Sequence, residues 1–223
     1  MLGLIKNWMT TKPQVTAPNQ IRKIASEQYI QQLGMEVNPA LPPLPDACRC
    51  AMRSVEEIVS RIQSLMLVTA HAEELPPAVI NSLYLRVGPN QAFTLQEQAL
   101  VANNQLSDKE RQACLWRYES IKVLLWAIGY ISELDEPTQL ADMIALSQLI
   151  QWQNHEELVA GSQPVGPVNI LDQADKYVRL EDACRHAPRR MPASFNHAIL
   201  KERCACLSWL IGETDWDDAF SQR

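Results

Sequence analysis

At 223 residues the chain can bury roughly 70% or more of the surface its unfolded form exposes, so it needs no disulfide or metal staple to fold. Its formal net charge of −6 argues against nucleic-acid binding through a global positive field. No stretch approaches the ~20 apolar residues of a membrane helix, and the opening apolar run is too short for a signal peptide and is interrupted by Lys6. The six cysteines (Cys48, Cys50, Cys114, Cys184, Cys204, Cys206) are therefore expected as reduced thiols in a cytoplasm. With only 7 glycines and a wealth of Leu, Ala, Gln and Glu, the composition leans towards helix.

Residues 1–18 read as a flexible basic arm carrying Lys6 and Lys12, and residues 19–220 as one all-α domain of about eight helices. The first helix is expected over 20–33, with Ile21, Ile24 and Leu33 facing inward. A Pro-rich connector over 38–45 follows, and its prolines favour an extended strap across the surface. Helix two, 55–73, has an apolar stripe of Val55, Ile58, Val59, Ile62, Leu65 and Met66. Pro76 and Pro77 open a third helix that ends at Gly88. Helices at 95–104, 108–129, 138–152, about 168–187 and 195–211 complete the set. Three starts are written as capping boxes, Ser54 with Glu57, Thr94 with Glu97 and Ser107 with Glu110, in which hydroxyl and carboxylate each satisfy an orphan amide. Gly34, Gly129 and Gly212 close periodic runs as Gly88 does. The segment 161–167, with Gly161 and Gly166, reads as a loop inside the domain.

The helix at 108–129 is apolar nearly all round from Trp116 onward and is expected to be central. Arg117 nevertheless shares a side with Ile121, Leu124 and Ile128, and Glu119 shares one with Val123, Trp126 and Tyr130. Two residues apart, they point about 200° away from each other, so each needs a partner from another helix. On the last helix Arg203 falls within the stripe of Ile199, Leu200, Leu207 and Leu210, with Glu202 at its edge. Glu181 falls among Ala174, Tyr177 and Val178. An unpaired buried charge costs several kcal/mol. Arg117, Glu119, Glu202 and Arg203 are thus expected to meet in a partly buried ionic cluster, with Glu181 as a further member. Three roles are open to it: fixing helix register, holding a ligand or partner, or catalysis.

Other chemistry is sparse. Four histidines lie too far apart for a metal motif, and His155 beside Glu156 and Glu157 reads as a solvated helix start. Cys204 and Cys206 on one helix point apart and chelate poorly; Cys48 and Cys50, near the strap, are the weaker-than-usual zinc candidate that remains. No nucleophile elbow and no cysteine beside a base is present, and no metal or cofactor is expected. Asp215, Asp217 and Asp218 lack the Gly and closing Glu of a calcium loop. Arg185, His186, Arg189 and Arg190 form a local basic patch, read as a solvated loop.

Arg53-Ser54-Val55-Glu56-Glu57-Ile58, Trp116-Arg117-Tyr118-Glu119 running into Val123–Ala127, Glu202-Arg203, Ser208–Gly212 and Trp216-Asp217 resemble, in order and spacing, the bacterial family catalogued as domain of unknown function 4272. The resemblance spans roughly residues 22–220. It implies a compact helical domain of bacterial cytoplasmic proteins and no particular activity. Carried across, the family pattern marks Arg53, Trp116, Arg117, Glu119, Glu202, Arg203 and Trp209. Where relatives tend to read Arg-x-His-Trp-Ala, this chain has Arg179-Leu180-Glu181-Asp182-Ala183, and Ser208 stands where an Asn is usual. With no catalytic constellation, the expected function is a non-catalytic module that binds another protein, of which a regulatory or immunity protein is one version. The alternative is a binder of, or enzyme on, a small phosphate or carboxylate ligand, because arginine forks suit such anions. No nucleic-acid or membrane partner is expected.

Overall fold

A computed structural model describes residues 17–221 apart from 90 and 104. Among these residues there are helices and no strands, in one domain. The basic arm expected over 1–18 lies almost wholly outside the described residues. In chain order the helices are α1 (Pro18–Gln32), α2 (Val55–Ala72), α3 (Pro77–Val87), α4 (Leu95–Ala102), α5 (Asp108–Leu115) and α6 (Arg117–Ala127). They continue with α7 (Met143–Ile150), α8 (His155–Gly161), α9 (Pro167–His186), α10 (His197–Leu210) and α11 (Trp216–Ser221). Short 3-10 turns cover Ala47–Arg49 and Pro188–Arg190.

Five helices pack in the spatial order α1, α9, α10, α6, α2, and α3, α4, α5 and α8 lean on α2 while α11 folds against α10. Between α10 and α2 in this series lies α6, whose Ile121, Val123, Leu124 and Leu125 have no exposed surface. That follows from its sequence: apolar side chains all round need neighbours all round. All three capping boxes read from the sequence are formed, and each supplies two orphan amides at its helix start.

The helix expected over 108–129 is broken at Trp116 into α5 and α6. The Glu119 amide bonds the Trp116 carbonyl three residues back at 3.0 Å, so the ladder tightens where the chain leaves the surface for the core. The helix expected over 138–152 shrinks to α7 because the Asp142 carboxylate caps it, accepting from the Ala145 amide at 3.0 Å. Two short helices, α8 and α11, join the expected set. His155 opens α8, its Nδ1 3.1 Å from Gln63 Oε1.

Ile21 and Ile24 do not face inward; they are 57% and 47% exposed. The side of α1 that meets α9 carries Arg22, Ser26 and Ile30, four residues apart, because the Arg22 guanidinium finds Asp172 Oδ1 at 3.0 Å and the Pro45 carbonyl at 3.2 Å. The Pro-rich connector is a strap as expected. It is pinned by Arg179, which donates to the carbonyls of Leu41 and Pro42, and by Lys23, which donates to those of Pro39 and Leu41.

Two glycines are required by close approach. Gly129 (φ +83°) would place a Cβ 2.1 Å from the Gln163 carbonyl oxygen, and Gly212 (φ +73°) one 2.2 Å from that of Ala51. Both positions also have the left-handed backbone that only glycine adopts without strain. They clamp loop segments onto the ends of α6 and α10.

Candidate functional site

The polar residues that the sequence places on apolar helix faces gather between α6 and α10. Glu202 Oε1 accepts from Arg117 Nη1 at 2.9 Å and from the Ser120 hydroxyl at 2.6 Å. One residue on, Arg203 Nε donates to Glu119 Oε2 at 2.9 Å, and its Nη1 donates to the Asp135 carbonyl at 2.6 Å and to the Tyr177 hydroxyl at 3.2 Å. Glu119 Oε1 accepts the Ala141 amide at 2.6 Å. Arg117 and Glu119 point away from each other, and each finds its counter-ion on α10, as the helical spacing requires.

The two pairs differ in enclosure. The Arg203 side chain is 0% exposed against 2% for Glu119, whereas Arg117 retains 16%. Burial works against the charge on Arg203, but Tyr177 and Glu119 beside it outweigh that and hold its pKa above the ordinary value. Burial in turn pushes the Tyr177 hydroxyl up to about 12, with Arg203 pulling the other way. Arg203 therefore stays charged at neutral pH.

Aromatic rings close the outer side of the ionic cluster. The Arg117 guanidinium lies 3.8 Å from the centre of the Phe220 ring, and Arg61 lies 4.7 Å from that of Trp216. Trp216 meets Trp209 edge-on at 5.2 Å, and Arg53 covers Trp209 at 5.0 Å while donating to its carbonyl. Arg61 itself is buried and paired with Glu97 at 2.6 Å. Helix α11 therefore acts as an aromatic cover on two arginines, Arg61 and Arg117, while Arg53 lies on Trp209 of α10. Trp116, at the break between α5 and α6, is half-buried and lines a shallow cavity of about 230 Å3 with Leu140, Ala141 and Met143, under which Glu119 sits.

Of the expected members, Arg117, Glu119, Glu202 and Arg203 come together and Glu181 does not. One turn past Tyr177 on α9, Glu181 is 3.9 Å from Arg185 Nε and lines a polar groove with Lys201 and Cys204. Tyr177 takes the place that Glu181 was expected to fill. Ser120, Asp135 and Tyr177 are the members that sequence reasoning missed. Ser120 could have been found, since it is a hydroxyl in the middle of the most apolar helix. Asp135 contributes through a loop and has no periodic signal.

Among the described residues no group of three or more His, Cys, Asp or Glu side chains is placed to hold a metal ion. The cysteines are free: Cys48 is exposed, Cys50 is half-buried with its pKa raised by burial, and Cys206 is fully enclosed, donating weakly to the Ser120 carbonyl. Burial pushes the Cys204 thiol up to about 12 and Cys206 well above its ordinary value, which suits packing rather than nucleophilic attack.

A family model described as domain of unknown function (DUF4272) matches residues 22–219. No curated protein and no solved structure matches the chain.

Proposed function

We propose that this chain, which belongs to the family described as domain of unknown function (DUF4272), is a non-catalytic cytoplasmic protein-interaction module that docks its partner on the outer face of α7. The observation that carries this reading is the apolar surface of that segment. Of the eleven large apolar side chains exposed among the described residues, five lie within residues 140–152: Leu140, Met143, Ile144, Leu149 and Trp152. Apolar surface concentrated in this way is the mark of an interface, whereas single exposed apolar residues are ordinary. Leu146 and Ile150 already anchor α7 to the core, so the outward residues are not needed for folding.

The ionic layer supports the same reading from the other side. Both guanidiniums are paired with carboxylates and Arg117 also lies against the Phe220 ring, an arrangement that favours a structural role for this layer. Its role is to fix the register of α6 against α10. Six free thiols, three of them buried, suit a reducing compartment, and among the described residues no helix is long and apolar enough to cross a membrane. A regulatory or immunity protein that occludes its target is one form such a module takes.

The test is affinity capture of the tagged chain at native expression, beside an Ile144→Asp/Leu149→Asp variant of unchanged melting temperature. A near-stoichiometric partner kept by the parent and lost by the variant supports the reading. A partner retained equally by both removes α7 as the docking face.

A further inference from the structure

A groove of about 750 Å3 lies between α1 and the first turns of α9, lined at its edge by Asp46, Ala47 and Cys48. That volume falls within the roughly 300–1,000 Å3 of small-molecule sites. Ile21, Ala25, Tyr29 and Val168 make its walls chiefly apolar, and Ile21 and Val168 are more than half exposed. Its charges are paired with one exception. Arg22 is held by Asp172 at 3.0 Å and by the Pro45 carbonyl, and Lys176 lies 3.5 Å from Glu136 with its amine over the Tyr29 ring. Asp46 has no such counterpart. Its Oδ1 is buried without a hydrogen-bond partner, and among the described residues no cation pairs with it. Nor does its side chain cap the turn that it precedes, the usual use of an aspartate at that position. Gln173 Oε1, on α9, is a second buried acceptor left open. Such atoms are rare in folded proteins, and an unpaired carboxylate is the costliest kind.

We propose that the groove binds a small organic amine, whose N–H donors meet Asp46 and Gln173 and whose alkyl or aryl body lies on Ile21, Ala25 and Val168. The lining residues of α1 run from Pro18 to Tyr29, about 16 Å along the helix, which suits an elongated body. Such a ligand covers Ile21 and Val168, supplies the missing cation and leaves the Arg22–Asp172 pair intact. Its charge is opposite to that of the phosphate or carboxylate that suits the arginines of α6 and α10. An anion would meet Asp46 here with both cations of the groove already paired. The carboxylate is also presented on a fixed support. Arg22 grips the carbonyl of Pro45, one residue before Asp46, while Lys23 and Arg179 pin the strap that leads to it.

Phenylbutylamine and phenylbutyrate share one body and carry opposite heads, so they serve as the probes. In titration calorimetry on the full chain, the amine is expected to bind saturably at one site and the carboxylate about tenfold or more weakly. The amine is also expected to slow alkylation of Cys48 by iodoacetamide, because that exposed thiol lines the groove. Asp46→Asn removes no cap, so it is expected to keep the melting temperature while lowering the amine's affinity about tenfold. Val168→Trp, which fills the apolar part of the groove, is expected to abolish binding. No amine binding up to millimolar concentration would overturn the proposal. Equal affinity for the two probes, or equal amine affinity in the parent and Asp46→Asn, would overturn it as well. So would amine binding that leaves Cys48 alkylation unchanged. The Ile144→Asp/Leu149→Asp variant is expected to bind the amine like the parent, so the outcome is independent of the capture experiment above.

Discussion

Arg203 and Arg117 are guanidiniums on apolar helix faces, and the structure accommodates them differently. Arg203 is enclosed and takes a carboxylate, a carbonyl and a phenol; Arg117 takes one carboxylate and an aromatic lid. Removing Arg203 strands Glu119, 2% exposed, without its counter-ion, so Arg203→Ala is expected to cost about 3–5 kcal/mol in denaturant unfolding. Arg117→Ala is expected to cost less, about 1–3 kcal/mol, because water can reach that side. Double-mutant cycles are expected to give about 0.5–3 kcal/mol of coupling within each pair and near-additivity between Arg117 and Glu119, which do not share a bond. Coupling of Glu119 to Arg117 as strong as to Arg203 would contradict this assignment.

Two thiols of α10, Cys204 half-buried and Cys206 enclosed, give the alkaline limit its sign. Cys204 has an ordinary value of 9.0 and is pushed up to about 12 by burial, and Cys206 moves the same way. A group whose folded pKa is raised contributes stability that is complete below its unfolded value and lost as pH rises through the folded one. Stability is therefore expected to fall from about pH 9 towards pH 12, as followed by thermal melts across that range. A Cys204→Ala/Cys206→Ala variant should show a shallower fall. An identical slope would mean that the thiols do not carry the effect. Sequence alone could place these residues on helices but could not say which cysteine is enclosed, because that depends on which helices pack against α10.

At the scale of elements, legibility followed local chemistry. The three capping boxes and the glycine stops are short-range signals, and apart from the run over 108–129, which breaks at Trp116, the helices they bound are where they were expected. Thr94→Ala removes one such cap and is expected to lower stability by about 1 kcal/mol in the same unfolding measurement. Misreadings came where tertiary context decides. The pattern over 108–129 is continuous, yet the chain turns from surface to core at Trp116. Ile21 and Ile24 look like a core stripe, but α1 turns its Arg22 face to α9 because an ion pair waits there. Helices α8 and α11 are seven and six residues long, too short for periodicity to register, although Asn154 and Glu157 do form a capping box. Gly212 is a different case: its need is set by Ala51, far away in sequence. Gly212→Ala is expected to destabilise by about 1–3 kcal/mol, combining left-handed strain with the clash at Ala51, and a neutral effect on the melting temperature would contradict the close approach.

For the whole molecule, the order α1, α9, α10, α6, α2 explains why the charged residues on α6 and α10 meet: the two helices are direct neighbours. The all-α class and the four core members of the ionic layer were legible because buried charge on an apolar face demands a partner. What was not legible was Glu181's exclusion, since nothing in the spacing says that Tyr177 reaches Arg203 first. Nor did the sequence distinguish α7, whose apolar residues read as core in a chain of this composition. Its outer face shows as surface only once Leu146 and Ile150 are seen to suffice for packing.

The central claim is that function lies on α7 and not in the ionic layer. Hydrogen–deuterium exchange on the full chain, with and without the partner recovered by capture, tests it most directly. The account predicts slowed exchange over residues 140–152 with α6 and α10 unchanged. Protection confined to α6 and α10, with 140–152 exchanging as in the free protein, would contradict it.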